Sequence, residues 1–369
     1  MLVRLHYFPQ IIIWLICSLL LLAGVYRYRR NRGALAVLIM AELWLTAGLI
    51  VSPVRVAVRV PHIVNMIARA GFVIVAVWVV VGAILELLWL AVPPFNPKRR
   101  AVLKAATFAT PVVALGAGYI RREHLQLTEI DVPIPGLPKD LHGLRIVQVS
   151  DLHLSALVSE SLVARAVDMA NETRANIALV TGDLITSAGD PLDACIRQIA
   201  RLKADAGVFG CMGNHEVYAH CRQYTAEQAA RFGIRFLRHD ATLLRFGNAN
   251  LNLAGVDYQP RHEPYLDGAE SLVVPGVPNV LLSHNPDVFP VAAAKGFGLT
   301  IAGHTHGGQI NVEILNQDLN VARFFTPYVY GLYRQDKSAV FVTRGIGTIG
   351  IPSRLGAPPE VALLRLCAI

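Results

Sequence analysis

Acidic residues are nearly missing from the first third of this 369-residue chain: residues 1 to 120 hold two, Glu42 and Glu86, against twelve Lys and Arg. The remainder holds 24 acids and 22 bases, so the formal net charge of +8 belongs to the N-terminal third. Residues 121 to 369 are close to neutral, which removes the electrostatic case for a nucleic-acid partner. Cysteine is scarce too. Of five, Cys17 sits in an apolar run, and Cys195, Cys211, Cys221 and Cys367 form no C-x-x-C pair and no regular spacing. That pattern excludes a disulfide framework and a thiolate zinc site. Internal repeats and low-complexity segments are also missing.

What the chain has in excess is apolar sequence. Hydrophobic residues make up 54% and mean hydropathy is +0.45, high for a soluble protein. The excess lies in four runs: 8 to 26, 34 to 51, 72 to 92, and a weaker one at 101 to 120 broken by Pro111. A membrane crossing needs about 20 apolar residues, so an all-α transmembrane region of about four spans is expected over residues 1 to 120. The densest basic loops are "RYRRNR" at 27 to 32 and "NPKRRAVLK" at 96 to 104. Both are expected in the cytoplasm by the positive-inside rule. This predicts a multi-pass protein of the cell inner membrane, with everything after about residue 121 on the periplasmic or extracytoplasmic side. Arg99 and Arg100, followed by an apolar run, also resemble a twin-arginine export signal. An ordinary basic flank explains them equally well.

Residues 121 to 143, rich in Pro and Gly, read as a linker into a folded domain over 144 to 369. From Leu144 onward, short apolar strands alternate with helical stretches, the signature of an α/β layered domain. Helices are expected at 159 to 173, after a Ser159 cap, and at 191 to 204, with Pro191 in the first turn. A hairpin is expected at 241 to 258 around "GNAN", which makes mixed sheets the expectation.

The chemistry lies at the ends of the strands. "RIVQVSDLHL" ends a strand at Asp151 and His153; "IALVTGD" ends in Asp183; "GVFGCMGNHE" delivers Asn214, His215 and Glu216. "NVLLSHNP" then delivers His284, and "LTIAGHTHGGQ" delivers His304 and His306. In open α/β sheets the C-terminal strand edge is where ligands bind. Two aspartates, one asparagine and four histidines supply oxygen and nitrogen donors without a thiolate, a set suited to Mn²⁺, Zn²⁺ or Fe. Seven donors are too many for one tetrahedral ion, and a carboxylate can bridge two ions about 3.5–4 Å apart. The glycines before Asp183, Asn214 and His304 are expected to let the backbone turn sharply.

Asp-x-His, Gly-Asp, Gly-Asn-His-Glu, His and Gly-His-x-His, in this order, resemble the calcineurin-like metallophosphoesterases. The Gly-His-Thr-His-Gly-Gly-Gln ending and the preceding apolar runs are most similar to their bacterial membrane-associated branch. The resemblance covers about residues 143 to 369. It implies an αββα sandwich of two mixed sheets flanked by helices. It also implies that Asp151, His153 and His306 hold a first metal, that Asn214, His284 and His304 hold a second, and that Asp183 bridges both. His215 would be catalytic, protonating the leaving oxygen or stabilising charge on the phosphoryl group. Glu216 would orient His215 or a metal-bound histidine.

The expectation is a membrane-anchored, dinuclear metal-dependent phosphodiesterase or phosphatase whose phosphoester substrate is lipid-linked or belongs to the cell envelope. The reading from another class is a non-catalytic membrane scaffold that keeps the fold for binding; His215 together with the complete donor set argues against it. A transporter with an attached hydrolase rests only on Glu42 and Glu86 within the runs.

Overall fold

The computed structural model describes residues 8–28, 32–54, 75, 78–79, 82–84, 113–114, 116–260, 265–314, 317–350 and 352–369. The chain divides into two units, one over residues 1–116 with 350–352, the other over 117–349 with 353–369.

In the first unit, two of the four apolar runs form helices, α1 (Phe8–Tyr28) and α2 (Arg32–Val54). Cys17, Leu21, Ala41 and Leu45 are buried where they pack together. Polar groups lie on the same inner side. Ser18 Oγ donates to both Glu42 carboxylate oxygens, at 2.9 and 3.1 Å, and Trp14 Nε1 donates to Thr46 Oγ1 at 3.2 Å. The outer side is apolar, with Ile16, Leu19, Leu22, Met40, Leu43 and Trp44 all exposed. Among the described residues no helix is long and apolar enough to cross a membrane. The four-span region expected over 1–120 thus finds no support there, and most of its third and fourth runs lies outside the described residues.

The second unit is a four-layer sandwich. Its first sheet has the order β1 (Gln126–Ile134), β14 (Glu360–Ala368), β2 (Arg145–Val149), β3 (Ile177–Val180), β4 (Val208–Gly210), β5 (Ile234–Phe236). The second has the order β12 (Gly331–Gln335), β13 (Ser338–Val342), β9 (Leu299–Ala302), β8 (Asn279–Leu282), β7 (Ala249–Gly255), β6 (Asp240–Phe246). A two-stranded ribbon, β10 (Asn311–Ile314) and β11 (Gln317–Asn320), stands apart from both sheets. Strands β2 to β5 run parallel and β14 runs against β2. Strands β7, β8, β9 and β13 run parallel, with β6 and β12 antiparallel at the edges. Both sheets are mixed, as the hairpin signal predicts; that hairpin closes with Phe246 opposite Ala249.

Alternation along the strands builds the layers. On β2 and β3, Ile146, Ile177 and Leu179 face the core between the sheets. Val147, Val149, Ala178 and Val180 face the other way. There they meet Val163 and Val167 of α3 (Glu160–Glu172) and Ile196 of α4 (Leu192–Ile199). Ser159 caps α3 by accepting from Leu162 N at 3.3 Å. Pro191 lies at the cap position of α4, which ends at Ile199. On the far side, Val288 and Ala292 of α7 (Phe289–Lys295) and its approach pack with Leu281 against the second sheet. The stretch read as a linker, 121 to 143, carries β1. All nine of its residues pair in parallel with β14, and Val132 and Ile134 enter the intersheet core.

Candidate metal centre

Five strands end at one edge. β2 leads to Asp151 and His153, and β3 to Asp183. β4 leads to Asn214 and His215, the first residues of the short helix α5 (Asn214–Tyr218). On the second sheet, β8 leads to His284 and β9 to His304 and His306. Gln148 ties the two sheets together just behind this edge, donating to Thr181 Oγ1 at 2.7 Å and to the Ala302 carbonyl at 3.0 Å.

The turn into the site is made by the donor residues themselves. Asp151, His153, Asp183, His304 and His306 all have positive φ, between 48° and 76°. Each such residue costs about 1–3 kcal/mol. Burying an aliphatic side chain contributes about 1.5–3 kcal/mol, and the clamped strands supply many of these, so packing holds the strain. Of the three glycines expected to make the turn, only Gly182 has positive φ, 88°. Gly213 and Gly303 matter through space: a Cβ on Gly213 would lie 2.1 Å from Asp183 Oδ1, and one on Gly303 would lie 2.4 Å from Asp151 Oδ2.

Asp183 is the centre of the cluster. Its Oδ2 lies 3.1 Å from His284 Nε2, 3.5 Å from His153 Nε2 and 4.0 Å from His215 Nε2. Its Oδ1 accepts from the His215 amide at 2.9 Å. Asp151 Oδ1 lies 3.5 Å from His306 Nε2 and 4.0 Å from His284 Nε2. Ser150 Oγ and the His304 amide also donate to the Asp151 carboxylate. His153 Nε2 and His306 Nε2 stand 3.0 Å apart. Ligand atoms fall within 4.8 Å of one another in three groups able to hold a cation: Asp151, His153, His306; His153, Asp183, His215; and Asp183, His284, His304.

The residues fit divalent cations. Two buried atoms, Asn214 Oδ1 and His284 Nε2, have no hydrogen-bond partner; the approach of the latter to Asp183 is a charge contact without hydrogen-bond alignment. A buried polar atom left in this way costs about 1–3 kcal/mol; His284 belongs to the donor groups, and Asn214 follows β4 at the same strand edge. Burial pushes the His153 imidazole down to about 3 and the His306 imidazole well below its ordinary value, so both are uncharged at neutral pH, as ligands must be. Burial also opposes charge on His284, but Asp183 and Asp151 overcome it and raise that imidazole to about 10. Burial raises Asp151 to about 6. For Asp183 the neighbouring His284 and His215 outweigh burial and hold the carboxyl well below its ordinary range.

His215 is set differently. Its Nδ1 lies 2.5 Å from the Thr186 carbonyl and donates to it. That leaves Nε2 facing Asp183, while the ring stands edge-on to His153 with centroids 4.7 Å apart. Its side chain is 11% exposed, whereas those of His153 and His284 are sealed.

Glu216 does not orient His215 or another imidazole. Its buried carboxylate accepts from the backbone amides of Asp183 at 2.9 Å, Leu184 at 2.7 Å and Gly213 at 2.8 Å. It ties the β3 turn to the β4 turn. Arg354 carried no sequence signal. It is 1% exposed and sits behind His306, with Nη1 donating to the His306 carbonyl at 2.9 Å and Nη2 lying 3.2 Å from His306 Nδ1. Only its position in a loop of apolar neighbours, "IPSRLGAP", hints at burial.

Residues 144–308 match the sequence profile of the calcineurin-like phosphoesterases. A transmembrane protein with metallophosphoesterase domain from Danio rerio is 28% identical over 281 residues, 73% of this chain and 63% of the relative. Its Bos taurus counterpart is 29% identical over 259 residues, 66% of this chain and 57% of the relative. The phosphodiesterase YaeI of Escherichia coli is 29% identical over 233 residues, 60% of this chain and 82% of that protein. The chain thus spans 57% to 63% of the length of the two animal relatives.

Proposed function

We propose that residues 144–308, which match the calcineurin-like phosphoesterase profile, form a phosphoesterase domain, and that the chain is a dinuclear metal-dependent phosphodiesterase or phosphatase held at a membrane by its N-terminal helices. The observation that supports the proposal is the grouping of Asp151, His153, Asp183, His215, His284, His304 and His306 in three overlapping clusters, with Asn214 Oδ1 and His284 Nε2 buried and unsatisfied. Asp151, His153 and His306 would hold one cation, Asn214, His284 and His304 the other, and Asp183 would be shared by both. Mn²⁺, Zn²⁺ and Fe suit the donors. Bound there, the cations supply positive charge to the phosphoryl oxygens and lower the pKa of water.

The chain's own groups do the rest. Asp183 and Asp151 fix the anionic floor of the site. His215, anchored through Nδ1 to the Thr186 carbonyl and partly open to solvent, presents Nε2 to the substrate. As hydroxide oxygen bonds to phosphorus and the ester P–O bond breaks, Nε2–H delivers its proton to the departing alkoxide. Tyr258 and Tyr218 flank the imidazoles, Tyr258 5.5 Å from His304 and Tyr218 5.9 Å from His215 by ring centroids.

Two features support the membrane setting. The exposed sides of α1 and α2 carry Ile16, Leu19, Leu22, Met40 and Leu43, a surface that water disfavours. The basic loops at 27 to 32 and 96 to 104 lie two apolar runs apart, which favours the extracytoplasmic side for residues 144 to 369. Lipid-linked or envelope phosphoesters are the substrates such a placement brings within reach. The test is an assay of the detergent-purified chain with Mn²⁺ against phosphomonoesters and diesters, then lipid extracts. Metal-dependent release of phosphate or alcohol is expected; a metal-loaded protein inert towards every phosphoester overturns the reading and favours the scaffold.

A further inference from the structure

Arg354 is the largest fully buried side chain among the described residues, at 1% exposure. Its hydrogen bonds go to carbonyls rather than to a carboxylate. Nη1 donates to the carbonyls of His306 at 2.9 Å, Arg344 at 2.7 Å and Ala357 at 3.3 Å, and Nη2 donates to that of Gly347. Nη2 also abuts His306 Nδ1 at 3.2 Å. Burial lowers the guanidinium to about 10, with Asp151 and Glu360 opposing, so it stays charged at neutral pH. A buried charge without a carboxylate bonded to it is costly, which points to a task other than packing.

The bonds join two segments on which the first cation draws. One is the turn at His306, held at φ 53°. The other is the loop 344–347 after β13, which lies against Asp151 and His153. Ile346 N donates to the Ser150 carbonyl at 3.0 Å, and Gly347 N to the Asp151 carbonyl at 2.7 Å. The approach is so close that a Cβ on Gly345 would stand 2.6 Å from Asp151 Cβ, and one on Gly347 2.9 Å from His153 Cβ. Asp151 and His153 follow a strand of the first sheet and His306 a strand of the second. One planar guanidinium spans the gap between them.

We infer that Arg354 is a positioning residue for the first cation: it sets the spacing between the Asp151–His153 turn and His306. The inference rests on the two-cation reading and deepens it. Among the described residues, the hydrogen bonds of Arg354 reach neither the turn of Asn214 nor that of His284, so the second cation does not depend on it. The guanidinium acts by geometry, since its charge alone repels a cation. Lysine in its place keeps the charge but offers a point donor instead of a fork, and so separates the two roles.

Mn²⁺ binding to the full chain in detergent, followed by calorimetry and electron paramagnetic resonance, tests this. The unaltered chain should take two ions and give the spectrum of a spin-coupled pair. In Arg354→Lys the first ion should bind about 10–100-fold more weakly, the usual loss when a group that orients a ligand is removed, while the second keeps its affinity. At concentrations that fill both sites of the unaltered chain, the variant should show an isolated ion. Arg354→Ala should regain the coupled spectrum with added guanidinium ion and not with equal sodium chloride. Normal two-ion binding in Arg354→Lys, or an equal loss of both ions from a folded variant, overturns the inference. Hydrogen exchange on chains that keep Arg354 gives a second reading should these variants not fold. In His284→Ala, which retains the first cation's ligands, Mn²⁺ should slow exchange of the Arg354 amide, bonded to the Gly118 carbonyl at 2.9 Å; in His306→Ala it should not. Unchanged exchange in His284→Ala overturns the inference. An unaltered chain that binds fewer than two ions sinks the two-cation reading and the inference with it, whereas two ions in every Arg354 variant sink the positioning role alone.

Discussion

Each unit holds a polar cluster, half-buried in the first and buried in the second, and the two clusters are built on opposite terms. Between α1 and α2, both oxygens of Glu42 accept from Ser18, and Trp14 and Thr46 pair with each other. That cluster closes on itself. At the sandwich edge, Asn214 Oδ1 and His284 Nε2 lack partners, and two imidazole nitrogens face one another at 3.0 Å. That cluster is complete only with something bound. Polar groups that satisfy one another serve packing; buried ones left without a partner at the strand edge leave capacity for a ligand.

The strongest way to break this comparison is to remove the group both cations share. Asp183→Ala should lose both metal ions and all metal-dependent turnover, whereas His306→Ala should weaken one ion mainly. Metal analysis of the purified variants decides it, and two ions retained without Asp183 would overturn the bridging role. His215→Ala comes next. Metal content and fold should persist while turnover falls by about 10²–10⁴, the usual scale of general acid catalysis. The fall should be smaller for nitrophenyl esters, whose leaving group needs no proton. An equal fall for all esters would assign His215 to charge stabilisation instead.

A third prediction uses the proton that His284 carries. Raised to about 10 from 6.5, its imidazolium contributes stability to the metal-free fold below pH 6.5, and this is lost as pH climbs towards 10. A cation must displace that proton. Adding Mn²⁺ to metal-free protein at pH 7.5 should therefore release about one proton for the second ion, read with an indicator dye in weak buffer. Loading without proton release would mean that His284 is already neutral. The smallest effect belongs to the closed cluster. Glu42→Gln should change stability in detergent by about 1 kcal/mol, the scale of a hydrogen bond retuned rather than removed, and should leave metal content and turnover as they were. A loss of turnover would show that the two clusters communicate.

The donor edge was legible because strand ends are short and local: an apolar run followed at once by Asp, Asn or His places the donor within a residue or two. The layers were legible because short apolar runs alternate with helical stretches from Leu144 onward. Other features depend on residues far apart in the chain. β1 belongs to a sheet because it pairs with β14, more than 200 residues away, and nothing local to 121–143 reveals that partner. Gly213 and Gly303 read as turn formers, yet their role is clearance for Asp183 and Asp151, which only the fold defines. Glu216 looked like a helper of the adjacent imidazole because sequence neighbours invite that reading; three amides of two turns claimed it instead. Arg354 left no trace because a buried guanidinium bound mainly by carbonyls needs no acid nearby in the sequence. The membrane expectation was the least resolved, because hydropathy names apolar runs without saying how they pack.

Glu216 also sets the tempo at which the site can come apart. The amides of Asp183, Leu184 and Gly213 all rest on its one carboxylate, so none exchanges its proton with solvent until that carboxylate withdraws. In native-state hydrogen exchange the three should behave as a single opening unit, with one shared free energy although they lie on two turns some thirty residues apart. Breathing at the donor edge is then a coordinated event: Asp183 and the Gly213 turn that carries Asn214 leave together or stay together.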